Sequence, residues 1–273
     1  MILNFLYFID ESYLRGISKL KPSFFCFLFN LRQLLTFRKS TIFHFSKKQN
    51  LFYAKEKGLT IYFFSPYRQA RLYSRGIKNR LKNLSSDYFL NSIPIEDNDY
   101  IIDCGANIGE FYISLSKFSN KKINYIGFEP SPKEFECLSI NASTQKYEKI
   151  ALSNSSKKQK FYISSEEADN SLVEPKNFSN FIDIKTKRLD KILSNTPIKL
   201  LKIDAEGAEI ELLEGCEGIL NNIKFISIDL GPERGLDSVP TFREVIPFLI
   251  NKGFVIEKIS QKRYTFLFVN PDF

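Results

Sequence analysis

Residues 100–129 read YIIDCGANIGEFYISLSKFSNKKINYIGFE, and this stretch decides the fold. Tyr100–Cys104 is a short apolar run closed by a glycine turn, which reads as a buried strand. Gly105-Ala106-Asn107-Ile108-Gly109 follows, and an amphipathic helix is expected from there to about Lys117. Ile123–Glu129 is a second apolar run. Strand, glycine turn, helix and strand make a βαβ unit, whose two strands lie parallel. Gly105 permits a tight turn and a close backbone approach, and Gly109 lets the helix pack near the loop. The first turn of that helix offers free N–H groups.

The same texture continues toward the C-terminus. Ser131 is a good N-cap, Pro132 suits the first helical position, and Glu134 completes a capping box. Further core strands are predicted at Tyr147–Leu152, Ile198–Asp204 and Ile223–Leu230, with a helix after the second of these through Leu220. Lys160–Ser164 and Phe181–Thr186 read as extra strands bracketing the polar loop Ser165–Asn180. Thr241–Asn251 reads as a helix that Pro247 should kink. Phe254–Ser260 and Arg263–Asn270, joined at Gln261-Lys262, read as a closing antiparallel hairpin. The expected class is α/β, with a mostly parallel sheet covered by helices on both faces.

The N-terminal third differs. Residues 1–98 hold 16 Lys/Arg against 6 Asp/Glu, a net +10, whereas residues 99–273 hold 23 against 25, a net −2. The chain is therefore divided into a basic, partly helical extension over 1–98 and an α/β domain over 99–273. Residues 1–50 read as helical and broken near Pro22, Leu59–Phe64 as a strand, and 68–92 as one or two helices. Arg68, Arg71, Arg75, Lys78, Arg80 and Lys82 recur at helical spacing. Such a face is either simply solvated or attracts anions, such as membrane headgroups or a phosphorylated acceptor. Nucleic acid is not expected as a partner, because no RNP, zinc-finger or helix-turn-helix signature accompanies the charge.

Composition excludes several chemistries. Four cysteines without CxxC spacing leave no disulfide scaffold or Cys-type zinc site. His44 is the lone histidine, so HExxH and other multi-histidine metal sites are excluded. The opening MILNFLYFI lacks a basic n-region and a small-residue cleavage site, so no signal peptide is expected. No run reaches the roughly 18 apolar residues that span a bilayer. A cytoplasmic protein with reduced thiols is expected, or one that is peripheral on a membrane through 1–98. The oligomeric state is left open.

Ligands of open α/β sheets bind beyond the carboxyl ends of the strands. Glu129 ends the second strand, where a carboxylate accepts hydrogen bonds from ribose hydroxyls. The loop differs from the GxGxxG of dinucleotide sites: Asn107 stands at the second glycine position, and Asp103 opens the turn. Acid near the loop suits a cationic or zwitterionic ligand better than a diphosphate, and S-adenosylmethionine, with an ammonium, a sulfonium and a ribose, fits. Asp204 ends the strand 198–204, Glu206 follows it, and Glu209 lies about one helical turn on. Strand 223–230 ends near Asp229, and Gly231-Pro232-Glu233-Arg234-Gly235 is placed to touch an acceptor.

Four segments in this order, YIIDCGANIGEF, GFEPSP, IALSN and LLKIDAEGAEIELLEG, resemble the FkbM-family methyltransferases. The resemblance covers about Asp99 to Phe268, and KTKRLDKIL, with Asp190, is similar to a further family stretch. It implies the seven-stranded Rossmann-like methyltransferase sheet and S-adenosyl-L-methionine as cofactor. It also implies that Asp103, Gly105, Asn107 and Gly109 line the methionine part, that Glu129 holds the ribose, that Ser153 lies near the adenine, and that Asp204 and Glu206 stand near the transferred methyl. Cys104 departs from the commoner Val or Ile, Arg188 from Thr, and ISIDLGPERG from a more acidic strand end. The expected reaction is O-methylation of a hydroxyl on a small molecule, sugar, glycan or lipid-linked saccharide. Asp204 is the first choice of base and Glu206 the second. No metal is assigned, although the crowded acids also suit a divalent cation. Two other readings stay open: a nucleotide-dependent Rossmann enzyme, and a non-catalytic cofactor-binding module that docks on a membrane or on glycan-assembly machinery.

Overall fold

The computed structural model describes residues 2–36, 41–164, 170–260 and 262–273, with side chains from residue 10 onward. The start of the polar loop expected at Ser165–Asn180 and Gln261 of the hairpin turn lie outside the described residues. The chain divides into two compact units, Met1–Asn83 and Leu84–Phe273.

The first unit holds helices α1 (Ile2–Ile17) and α2 (Pro22–Leu35), strands β1 (Ile42–Ser46), β2 (Leu51–Glu56) and β3 (Leu59–Phe63), and helix α3 (Pro66–Leu72). The three strands form an antiparallel sheet in sequence order. The helical reading of 1–50 therefore holds only through α2. Beyond it, Phe43 on β1 and Phe52 and Ala54 on β2 turn to one buried face, a period-2 pattern that a helix could not bury. Phe29 of α2 stacks on Phe43 with ring centroids 3.9 Å apart. The Asn30 side chain donates to Phe43 O and accepts from Phe43 N–H, satisfying the free edge of β1.

Helix α4 (Ile77–Asp87) carries the division between the units. The second unit thus begins about one helix before the change of texture at Asp99. The reason is packing: Leu84, Tyr88, Leu90 and Ile93 are buried in the same cluster as Ile101, Phe111 and Leu115.

From there the elements are β4 (Tyr100–Cys104), α5 (Glu110–Ser119), β5 (Asn124–Phe128), α6 (Pro132–Asn141), β6 (Lys146–Glu148), β7 (Ala151–Leu152), β8 (Lys158–Ile163), β9 (Asn180–Lys187) and β10 (Ile198–Ile203). They continue as α7 (Glu209–Glu214), β11 (Ile223–Asp229), β12 (Pro232–Arg234), β13 (Val239–Pro240), α8 (Phe242–Asn251), β14 (Val255–Ile259) and β15 (Thr265–Val269). Seven strands form one sheet in the order β14-β15-β11-β10-β4-β5-β6. The five from β11 to β6 are parallel, and β15 is antiparallel to both of its neighbours. This is the expected Rossmann-like methyltransferase sheet with its antiparallel hairpin.

Side chains alternate between its two faces. Ile101, Tyr125, Leu200 and Leu267 enter one buried cluster, while Ile102, Ile126, Leu201 and Phe268 enter the other. Both faces are covered, which is why these strands read as continuous apolar runs. Two local expectations are corrected. The stretch 147–152 is two strands in different sheets, β6 in the main one and β7 paired with β9. Ser131 occupies the N-cap of α6 without a side-chain capping bond; its hydroxyl accepts from Asn170 and its N–H donates to Glu129. Helix α8 continues through Pro247. All four cysteines are free and buried. Among the described residues no helix is long and apolar enough to cross a membrane.

Candidate active site

Strand order reverses direction between β4 and β10, and in open parallel sheets the crevice opens at that switch point. The turn after β4 and the turn after β10 meet there. Asp204 N–H donates to Cys104 O at 3.1 Å. Gly105 has φ +74°, and a Cβ on it would lie 2.0 Å from Asp204 O. Only glycine meets both demands. Gly109, at φ +88°, packs on Leu138 of α6, which fits its expected part in seating α5.

The β5 side of the crevice is bound by backbone donors. Gly105 and Ala106 N–H both donate to Phe128 O. Glu129 accepts from Asn107 N–H through Oε2 and from Ser131 N–H through Oε1, both at 2.8 Å. Asn107, in the left-handed region at φ +49°, turns its N–H to that carboxylate. The glycine loop and the second strand end are thus joined by a direct hydrogen bond. Burial, reinforced by repulsion from Glu134, raises the Glu129 carboxyl to about 7, against the effect of its hydrogen bonds.

Asp103 departs from expectation. Its side chain is fully buried and presents no surface to a ligand. Its register partners are Lys202 on β10 and Gly127 on β5. Tyr125 OH donates to Oδ2 at 2.7 Å, and Lys202 Nζ lies 3.0 Å from Oδ1. Gly127 makes this arrangement fit, since a Cβ there would come within 3.0 Å of the Tyr125 hydroxyl. Lys202 also donates to Gly105 O at 2.8 Å and Cys104 O at 3.2 Å. Burial disfavours its charge, but Asp103 and Asp204 outweigh that and hold its pKa above the ordinary lysine value. Asp103 and Lys202 form the buried support of the glycine turn, with Asp103 acting through Lys202.

The β10 side is bound by side chains. Asp204 is about a quarter exposed and lies 3.8 Å from Lys202. Tyr88 OH donates to its Oδ2 at 2.6 Å. Tyr88 is fixed in turn: its carbonyl accepts from Ser227 Oγ, and its ring packs edge-on against Phe111. Burial, then the Asp204 charge, keep the Tyr88 phenol protonated as a donor. Glu206 has φ +49°, a costly conformation for a non-glycine residue that is often kept at functional sites. Its carbonyl accepts from Ser171 Oγ at 2.6 Å. Its carboxyl hydrogen-bonds Glu233, whose own carboxyl is pushed to about 8 by burial and by Asp204 and Asp229.

Two more acids flank this group. Glu209 accepts from Gly207 N–H at 2.9 Å, and burial raises it to about 7. Asp229 accepts from Gly231 N–H and pairs with Arg263 at 2.7 Å. The loop 231–235 is braced by Arg234, which donates to Gly207 O and forms a two-pronged pair with Glu211. Arg188 likewise clamps Asp190 and donates to Asn154 O and Glu214 O, a structural tie. Among the described residues no set of three or more His, Cys, Asp or Glu is gathered to hold a metal ion.

Ser153 does not join this constellation by any contact described. It is buried, donates its N–H to Lys187 O, and lies with its carbonyl against Gly215. Asp204, Glu206, Gly105, Asn107 and Glu129 are brought to the strand ends, whereas Asp103 is drawn beneath them. Lys202 and Tyr88 had no role assigned from sequence, and Glu233 had only its place in the loop expected to touch an acceptor. Lys202 did carry a signal: a lysine within the apolar strand 198–203 needs a buried counter-charge. Tyr88 lies in no motif.

The family model described as the methyltransferase FkbM domain matches residues 103–256. Methyltransferase sdnD of Sordaria araneosa is 26% identical over 176 residues, covering 50% of this chain and 67% of that protein. Hexuronic acid methyltransferase AglP of Haloferax volcanii is 28% identical over 147 residues, covering 50% of this chain and 57% of that protein. Among solved structures, the methyltransferase FkbM of Methylobacillus flagellatus is 14% identical with a TM-score of 0.48, covering 88% of this chain and 58% of that one.

Proposed function

The chain belongs to the methyltransferase FkbM domain family, and from that premise we propose that it transfers a methyl group from S-adenosyl-L-methionine to a hydroxyl of a sugar, glycan or lipid-linked saccharide. The observation that carries the reading is the Asn107–Glu129 hydrogen bond, which puts the glycine turn and a ribose-type carboxylate in one wall. The donor set fits the cofactor. The strand ends are acid-rich, with Asp204, Glu206, Asp229 and Glu233 beside two cations, the buried Lys202 and the exposed Arg263. Such a field favours a ligand with ammonium and sulfonium charges over a diphosphate. The name of the hexuronic acid relative supports a sugar acceptor.

When bound, the cofactor supplies a methyl group on a positively charged sulfur. Gly105, Asn107 and Gly109 would seat its amino-acid part and Glu129 its ribose. Asp204 takes the acceptor's proton as the hydroxyl oxygen attacks. Tyr88 occupies one of its oxygens and fixes the carboxylate, so the other is the one offered to the acceptor. Positioned general bases of this kind contribute about 100- to 10,000-fold in rate. Glu206 is the weaker candidate, because it is engaged with Glu233. The test is transfer of labelled methyl from S-adenosylmethionine into cell-envelope extract, with mass spectrometry of the product. A saccharide carrying an added methyl ether is expected. Label on an amine or carbon, or no label, contradicts the proposal.

A further inference from the structure

Helix α2 has two apolar faces, of which one is used. Phe25, Cys26 and Phe29 are buried within the first unit. Phe24, Phe27, Leu31, Leu34 and Leu35 stand out on the opposite side, with Phe27 58% and Leu35 69% exposed. Their spacing of three and four residues makes one continuous stripe. Phe24 and Phe27 stack on each other with ring centroids 6.3 Å apart. Five large apolar side chains in one exposed stripe are more than the scattered surface leucines of an ordinary protein.

The charge around the stripe says what it meets. Residues 1–83 contain 16 Lys/Arg and 3 Asp/Glu. All three acids are spent internally. Asp10 pairs with Arg32 of α2. Glu11 accepts from Tyr67 OH and faces Arg71 at 3.6 Å. Glu56 is buried, accepting from Thr41 OH and Ile77 N–H. Among the described residues Arg32 is buried in its pair with Asp10, whereas the lysines are exposed, Lys19 and Lys21 at the N-terminal end of the stripe. Fourteen residues give a helix of about 21 Å, too short to cross a hydrocarbon core of about 30 Å. An apolar stripe bordered by lysines on a strongly basic unit matches a helix lying in the plane of an anionic bilayer.

We propose that the outer face of α2 inserts into the interface of an anionic lipid membrane, with the surrounding lysines and arginines on the headgroups. Insertion and charge act together, so neither suffices alone. This surface is independent of the methyl-transfer reading, and its test needs no cofactor or acceptor.

The chain contains no tryptophan, so Phe27→Trp places a single reporter on the stripe. The full chain with that substitution is mixed with vesicles of phosphatidylcholine alone and of phosphatidylcholine with about one-third phosphatidylglycerol. The expected result is a blue-shifted emission with the anionic vesicles only. Sedimentation with the same vesicles should show at least about tenfold weaker partitioning for Phe27→Glu/Leu31→Glu, and a similar loss for Lys19→Glu/Lys21→Glu. Three results overturn the proposal: no sedimentation with anionic vesicles; sedimentation with an unshifted emission, meaning charge alone; or a dimer in analytical ultracentrifugation that Phe27→Glu/Leu31→Glu abolishes, meaning that the face meets a second copy.

Discussion

The two walls of the crevice are built by different means. On the β5 side a single carboxylate, Glu129, gathers backbone N–H groups from the glycine turn and from Ser131. On the β10 side, side chains hold one another: Tyr88 on Asp204, Glu233 on Glu206, Arg263 on Asp229. In the proposed function the backbone-lined wall binds, because its donors are rigid, and the wall of neighbouring carboxyls moves protons, because the charge of each depends on the others. Substitutions on the two sides should therefore separate, with binding lost on the first and turnover on the second.

The largest expected effect is on the second wall. Asp204→Asn should lower turnover by about 100-fold or more while cofactor affinity stays within a few-fold, read by labelled transfer and calorimetry side by side. Turnover that survives would move the base elsewhere and break the division between the walls. Next comes the buried support that both walls share. Lys202→Met removes one partner of a buried ion pair and leaves Asp103 uncompensated, a loss of about 3–5 kcal/mol in denaturant unfolding. A negligible loss would mean that the turn at Gly105 does not depend on that lysine.

On the binding wall, Glu129→Ala should weaken S-adenosylmethionine by about 10- to 100-fold, the equivalent of one or two hydrogen bonds to a charged group. Tyr88→Phe sharpens the other side. It deletes only the hydroxyl on Asp204, so kcat should fall by about tenfold with KM and cofactor affinity unchanged; a change confined to KM would make Tyr88 a binding residue.

The smallest effect is a slope. Glu129 and Glu209 titrate near 7 and Glu233 near 8 in the fold, against an ordinary 4.5. Each holds its proton more tightly folded than unfolded. The unfolded chain thus binds fewer protons across that window, and stability falls as pH rises from about 4.5 to about 8. The melting temperature should decline over this range, and Glu233→Gln should flatten its upper part. A melting temperature that climbs with pH there would contradict the burial assigned to these carboxyls.

Much of the second unit was legible because its signals are local. The apolar runs at 100–104, 123–129 and 198–204 lie in a sheet buried on both faces, and the glycine turn and Glu129 stand at fixed distances from strand ends. Asp103 was misplaced because a residue at a strand end can point either to the ligand or back to a neighbouring strand. Only the register with Lys202 and the gap left by Gly127 decide that. The capping box at Ser131 also depended on distant residues: its hydroxyl accepts from Asn170, 39 residues away, and caps no N–H of α6. In the first unit, the aromatic runs at 42–46 and 51–56 fit a helix as readily as a hairpin until Phe29 and Asn30 of α2 are seen to cover β1. Tyr88 carried no signal at all, since its partner is 116 residues distant.

In the proposed function the glycine turn and Glu129 form one pocket for a sulfonium nucleoside. Calorimetric titration of the full chain with S-adenosylmethionine, NAD and a nucleotide sugar tests it most directly, with Glu129→Ala in parallel. Saturable one-site binding of S-adenosylmethionine alone is expected, weakened in the variant. Binding of NAD or the nucleotide sugar with none of S-adenosylmethionine, or an affinity that Glu129→Ala leaves untouched, would contradict it.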